Sequence, residues 1–204
     1  TAGPTLERID PVRYLTNDSS GKMGYAIAAA AQARGASVTL VSGPVHLAAP
    51  TGVTVIPVVS TQDLYDAMMA HYSSQDIIIQ AAAPADYKVK EKFSGKLKAE
   101  KITLTLEKNP DVAKMVGELK TDGQKLVVFS AETENLIENA TEKLKKKHAD
   151  MVVANDVTQK GAGFGTDTNV VSIITPDGKR WDSGVMEKSK IANVILDKIQ
   201  EVGK

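Results

Sequence analysis

Asp76-Ile-Ile-Ile-Gln-Ala-Ala82, running on into Ala83-Pro-Ala-Asp-Tyr87, is the stretch that decides the fold. A continuous apolar run without polar alternation is buried on both faces, which is the signature of a strand inside a parallel sheet covered by helices on either side. The residues after it are small, so a ligand has room against the end of the strand. Asp86 stands at that mouth. Its carboxylate suits a hydroxyl, an amide or a metal, and equally a turn that caps the next element.

Working outward, strands and helices alternate. Towards the C-terminus, Lys125–Ser130 reads as a strand, Asn135–Lys147 as a helix and Asp150–Ala154 as a strand. Asn169–Ile174 and Lys179–Trp181 predict a hairpin around Asp177-Gly178, and Met186–Val202 a closing helix. Gly161–Thr168 reads as a flexible loop. Towards the N-terminus, Gly21–Arg34 and Thr61–His71 are helical, the second with Thr61 as candidate N-cap. Ser37–Val41 is β-rich, and Gly52–Val59 is a second such run, kept short or at an edge by Pro57. In Asn109-Pro-Asp111, Asn109 is the expected N-cap, Pro110 the first helical residue, and Asp111 a charge near the positive end of the dipole. Tyr87–Lys108 breaks the rhythm. It is Lys-rich, ends in the alternating Ile102-Thr-Leu-Thr-Leu106, and predicts an excursion, part flap and part hairpin.

This order predicts an α/β fold: a three-layer, Rossmann-like, mostly parallel, doubly wound sheet, with residues 1–204 forming one domain. Such sheets bind ligands beyond the C-terminal ends of their strands. Gly3, Ala83–Asp86, Phe129–Thr133 and Asn155-Asp156 all follow expected strands.

Composition excludes several classes. Twenty-five basic residues balance twenty-five acidic ones, so no global charge draws the chain to nucleic acid. No apolar run approaches the ~18 residues of a membrane span. There is no cysteine, hence no disulfide or thiol nucleophile. This suits a reducing cytoplasm. His46, His71 and His148 lie far apart and match no metal-ligand spacing.

Thr1-Ala-Gly-Pro-Thr5 and Ser19-Ser-Gly-Lys-Met-Gly24 place glycines around a polar segment that leads into a helix, an arrangement suited to phosphate. It is not a P-loop: Thr16 and Met23 stand where that motif needs Gly and Ser or Thr. The G-x-G-x-x-G fingerprint is missing, and no Tyr precedes a Lys by four residues, which argues against a dinucleotide oxidoreductase. Such a loop ordinarily follows a buried strand, so the sequence reads as a domain cut from a longer polypeptide with its first strand trimmed.

Within these segments, Asn17 is either an oxyanion donor or an Asx-turn residue. Lys96 and Lys98 are a cationic flap or a solvated loop. Lys143 and Lys147 share a helix face, with Lys145 and Lys146 pointing elsewhere; a solvated basic face is the ordinary alternative. Phe129 is a base contact or a core aromatic.

Taken together, Thr1–Thr5, Asp10-Pro-Val-Arg13, Asn17 with Ser19–Gly24, Val41-Ser-Gly-Pro44, Ala82-Ala83 with Ala85-Asp86-Tyr87, Lys96-Leu-Lys98, Lys108-Asn-Pro-Asp111, Ala131-Glu-Thr133 and Ala154-Asn-Asp156 resemble the phosphopantothenoylcysteine synthetase family. The resemblance runs from Thr1 to about Thr168, and the last thirty-five residues add little to it. It implies a ligase that joins 4′-phosphopantothenate to L-cysteine with CTP. The reaction would pass through an acyl-cytidylate and release pyrophosphate and CMP, with Mg²⁺ carried by the triphosphate. ATP in place of CTP stays open.

The same resemblance implies roles. Lys96 would assist acyl-nucleotide formation, and Asn17 the cysteine-dependent step. Ala82, Ala83 and Asp86 would hold the pantothenate side, with Asp86 shared with the nucleotide. Arg13 would reach the substrate phosphate from a neighbouring subunit, which implies a homodimer. Gly3, Ser19, Gly21 and Gly24 would cradle phosphates. Pro110, Asp111, Val112 and Ala113 would present a helix N-terminus to the nucleotide. Phe129 and Asn155 would contact the nucleotide, and Lys143 and Lys147 the triphosphate. The family flap often carries a further lysine where this chain has Ala99. A flavin-dependent decarboxylase is usually fused in front, and no flavin is expected in this domain. The competing expectation is a non-catalytic, Rossmann-like nucleotide-binding module.

Overall fold

A computed structural model describes residues 1–156, 159 and 163–202. Of the expected Gly161–Thr168 loop, Gly161 and Ala162 lie outside the described residues. In chain order the elements are β1 (Glu7–Arg8), β2 (Tyr14–Leu15), α1 (Lys22–Ala33), β3 (Thr39–Ser42), β4 (Thr54–Pro57), α2 (Thr61–His71), β5 (Ile77–Gln80), β6 (Tyr87–Val89) and β7 (Leu106–Lys108). They continue with α3 (Val112–Leu119), β8 (Lys125–Glu132), α4 (Leu136–Lys146), β9 (Met151–Asp156), β10 (Thr168–Asn169), β11 (Val171–Ile174), β12 (Arg180–Asp182), β13 (Met186–Glu187) and α5 (Lys188–Glu201).

The main sheet has the order β12-β11-β9-β8-β5. β5, β8 and β9 are parallel, with Ile79 opposite Val127 and Val128 opposite Val152. β11 and β12 close the far edge antiparallel, as the expected hairpin. β3 and β4 form a separate parallel pair. Residues 1–4 join the two sheets: Ala2 bridges Ser42 and Pro4 bridges Ala83, both in parallel.

Side-chain alternation along β8 and β9 builds the layers. Leu126, Val128, Val152 and Ala154 face α2, α3 and α4, packing on Leu64, Met68, Val116, Ala140 and Leu144. Val127, Met151 and Val153 face α1 and α5, packing on Met23, Ile27, Ile191 and Ile195. Each such Val or Leu removed from water contributes about 1.5–3 kcal/mol. The three-layer expectation therefore holds.

Local expectations fared unevenly. Pro57 does end an edge strand. Thr61 opens α2 but does not cap it. Ser60 accepts from the Asp63 amide, and Asp63 answers as a capping box. Thr61 instead bonds Thr5 through its hydroxyl, and its amide donates to buried Glu7. Asn109 is likewise not the cap of α3. Its amide side chain donates to the Ala85 carbonyl, and Asp111 caps the helix, accepting from the Lys114 amide at 3.1 Å. Pro110 therefore precedes the cap. Of the alternating 102–106 stretch, only Leu106 enters a strand, β7, which pairs antiparallel with β6. The closing helix begins at Lys188 because Met186 and Glu187 pair with β10.

Candidate active site

A cavity of about 600 Å³ opens at the C-terminal ends of β5, β8 and β9. Fifteen residues singled out from the sequence line it: Asn17, Ser19, Gly21, Gly24, Ala82, Ala83, Asp86, Pro110, Asp111, Val112, Ala113, Phe129, Lys143, Lys147 and Asn155. They arrive from several elements far apart in the chain, because parallel strands end together on one edge of the sheet.

The first wall is the turn into α1. Gly21 takes a left-handed φ of 76°, and a Cβ there would lie 2.7 Å from Val45 Cγ1. Among the described residues no side chain caps α1. Its first-turn amides, which have no intrahelical partner, stand at the positive end of the helix dipole beside the cavity. Asn17 ties this turn to the sheet: its amide donates to the Ala83 carbonyl, and its Oδ1 accepts from the Ser19 amide. It is both a turn residue and a cavity residue.

The second wall is built from the start of α3 and one face of α4. Lys147 donates to the Asp111 carboxylate. Burial raises the Asp111 carboxyl, but bonds from Lys147 and the Lys114 amide outweigh it and hold the group below the usual carboxylate range. Lys143 is half-buried, and its ammonium makes no hydrogen bond or ion pair among the described residues. Burial pulls its ammonium below the ordinary lysine value. Lys147 adds to that, and Glu132, Asp86 and Asp111 oppose it. Lys146, expected to point elsewhere, reaches the rim of the cavity as well.

At the floor, Gln80 Nε2 and Asn155 Oδ1 are buried without a hydrogen-bond partner among the described residues. Leaving such a group unpaired costs about 1–3 kcal/mol. Both belong to residues of the lining, where a polar ligand would offset that cost.

Sequence reasoning missed a third wall from the last third of the chain. Phe164, Asn169 and Lys188 line the cavity. Lys188 is 5 % exposed, and its ammonium donates to the carbonyls of Gly163, Phe164 and Thr166. Burial, then Lys22, lowers it from the ordinary lysine value, with Asp167 opposing. Ser20 donates to the Phe164 carbonyl, and Lys22 pairs with Asp167. A signal for Lys188 existed. It extends the apolar stripe of Ile191, Ala192, Ile195 and Ile199 by one turn, so a lysine stands where periodicity asks for an apolar residue.

Three expected site residues do not line the cavity. Gly3, at φ 76°, packs behind Gly21. It supports the turn, and its carbonyl accepts from the Ala83 amide. Arg13 is spent on Asp10, at 2.5 Å, and on the Leu97 carbonyl. Lys96 is exposed in the segment between β6 and β7. Among the described residues no helix is long and apolar enough to cross a membrane.

Comparisons with known proteins identify the family of the chain. A family model for the DNA/pantothenate metabolism flavoprotein C-terminal domain matches residues 1–202. The coenzyme A biosynthesis bifunctional protein CoaBC of Bacillus subtilis is 46% identical over all of this chain and 51% of its own length. The Escherichia coli K12 protein of the same name is 42% identical over 98% of the chain and 50% of its own length. This chain thus spans about half the length of the curated relatives it matches. A crystal structure of the C-terminal domain of a CoaBC protein superposes with a TM-score of 0.84 at 43% identity, covering 98% of this chain and 91% of that one.

Proposed function

Since the chain belongs to the DNA/pantothenate metabolism flavoprotein C-terminal domain family, we propose that residues 1–204 are one phosphopantothenate–cysteine ligase domain acting in coenzyme A biosynthesis. The substrates are 4′-phosphopantothenate, L-cysteine and CTP. In the full-length protein the domain is fused to a flavin-dependent decarboxylase, in the cytoplasm, with no flavin held here. The observation that carries this reading is convergence. The uncapped start of α1, the start of α3 and the α4 lysines meet at one cavity whose floor holds Phe129 and Asn155.

In the first step the pantothenate carboxylate attacks the α-phosphorus of CTP. An acyl–phosphate bond forms and pyrophosphate leaves. Backbone amides at Ser19–Gly24 and the ammonium groups of Lys143 and Lys147 receive the phosphate charge. Lys96 stabilises charge at the α-phosphorus. In the second step the cysteine amine attacks the acyl carbon, loses a proton and displaces CMP. Asn17 donates to the oxyanion. Ala82 and Ala83 leave space for the acid, and Asp86 holds a hydroxyl of one substrate.

Magnesium fits this site only as an ion carried by the triphosphate. Asp86 and Asp111 are the only carboxylates in the described lining, and no group of three or more metal-ligating side chains occurs among the described residues. Asp86 is the available hard oxygen ligand, because Asp111 is engaged by Lys147. The ion would supply charge neutralisation between phosphate oxygens.

A homodimer completes the proposal. Val12, Tyr14, Phe93 and Leu106 are large apolar side chains left exposed on the β1–β2 and β6–β7 excursions, next to Arg13. A neighbouring subunit would cover them and receive Arg13.

Mass spectrometry of the products with each triphosphate, with and without cysteine, tests the reading. CMP, pyrophosphate and the cysteine amide are expected with CTP. Nucleotide binding without an acyl-nucleotide would favour the non-catalytic module, a reading to which the position of Lys96 outside the cavity lends support.

A further inference from the structure

Arg13 and Lys96, two side chains that fall outside the cavity, are connected through a residue with no role in the scheme above. The Asp10 side chain is fully buried, between the β1–β2 hairpin and the flap. Its two oxygens have separate tasks. Oδ1 accepts from the amides of Val12 and Arg13, each at 2.8 Å, which is all that an Asx turn requires. Oδ2 accepts from Arg13 Nε at 2.8 Å and from the Leu97 amide at 3.2 Å. Arg13 in turn donates to the Leu97 carbonyl at 2.7 Å. Both backbone polar groups of Leu97 are thereby consumed, in a segment with no regular secondary structure of its own. The Phe93 amide, bonded to the Ile9 carbonyl at 2.9 Å, is a second tie to the same hairpin.

We propose that Asp10 is a positioning residue for the flap: its carboxylate clasps Arg13 and Leu97 together and so sets where Lys96 stands. Consecutive Cα atoms are about 3.8 Å apart, so pinning Leu97 restrains the origin of the Lys96 side chain. A flap free to move would lose that restraint and would have to be ordered in each turnover. The role given to Lys96 rests on the ligase reading; the clasp itself does not.

Asp10→Asn tests it. Asparagine is isosteric and keeps an oxygen for Val12 and Arg13, but it turns N–H donors towards the Leu97 amide and Arg13 Nε. Without substrates, trypsin cleavage after Lys96, located by mass spectrometry, should run roughly tenfold faster than in the wild type, the loss expected for one charge-assisted hydrogen bond. Cleavage after Lys101 should change less than about twofold. Hydrogen exchange on the wild type gives an answer even if the variant fails to fold. The Leu97 amide should exchange roughly tenfold slower than those of Lys96 and Lys98. With CTP and phosphopantothenate, the variant's kcat for pyrophosphate release should fall roughly tenfold while the KM for CTP stays within about twofold. Equal cleavage rates, or a Leu97 amide exchanging as fast as its neighbours, would overturn the clasp. An active wild type with an unlocked variant of unchanged kcat would overturn the positioning role. A wild type releasing no pyrophosphate would instead remove the ligase reading and, with it, the assignment of Lys96.

Discussion

Lys147 donates to the carboxylate of Asp111, so the residue that caps α3 also neutralises a lysine offered to the triphosphate. Nucleotide binding must therefore exchange one anion for another at Lys147. Asp111→Asn separates the two tasks. Asparagine caps as well as aspartate, so the urea midpoint should move little, whereas Asp111→Ala should lose about 1 kcal/mol. Released from its partner, Lys147 should bind CTP several-fold more tightly by calorimetry, on the order of the 1.5–3 kcal/mol of a charged hydrogen bond less its solvation. The Asp111 carboxyl is lowered in the folded state, so its contribution is complete above the unfolded value near ~3.9 and is lost as pH falls through the folded one. The pair should hold throughout neutral pH.

Lys143 faces the cavity without an ion-pair partner among the described residues, and burial lowers its ammonium. The unfolded chain therefore binds more protons than the folded one between the lowered value and ~10.4, and stability rises with pH across that window. Lys143→Met should flatten the rise in urea midpoint on the alkaline side. It should also weaken CTP binding by roughly tenfold or more, the loss of one charged contact. A variant that binds CTP like the wild type would remove Lys143 from the triphosphate site.

Gly117 sets the spacing of α3 and α4. A Cβ there would sit 1.8 Å from the Lys147 carbonyl oxygen. Gly117→Ala should destabilise by about 1–3 kcal/mol in urea unfolding, as overpacking does. Weakened CTP binding should accompany it, because Lys147 must shift. Gly95→Ala, where a Cβ meets nothing within 4 Å, is the matched control and should leave both measurements unchanged.

Asn17→Asp keeps the acceptor for the Ser19 amide but places a carboxylate against the Ala83 carbonyl, where the amide now donates. The donor for the second-step oxyanion disappears. The acyl-cytidylate should accumulate while the cysteine amide falls, read by quenched-flow mass spectrometry. Equal loss of both steps would contradict this role.

Much of this was legible because the relevant signals are local. The isoleucine run of β5, the hairpin at Asp177-Gly178 and the glycine turn before α1 each depend on neighbours within a few residues. Caps were read less well. Ser60 and Asp111 won over Thr61 and Asn109, because the losing side chains found tertiary partners, Thr5 and the Ala85 carbonyl. Lys188 escaped notice because carbonyls from a segment about twenty residues away bury its charge.

The alternation of strands and helices, the three-layer class and the families of residues at the strand ends follow from periodicity and from short connections, which the chain carries in its own neighbourhood. Which charges meet is another matter. That Arg13 holds Leu97, Lys147 holds Asp111 and Lys188 holds the 163–166 turn depends on side chains brought together across 22 to 84 residues. Only folding sets those separations, because a Coulombic or hydrogen-bonded partner is chosen by distance in space and leaves no period in the sequence.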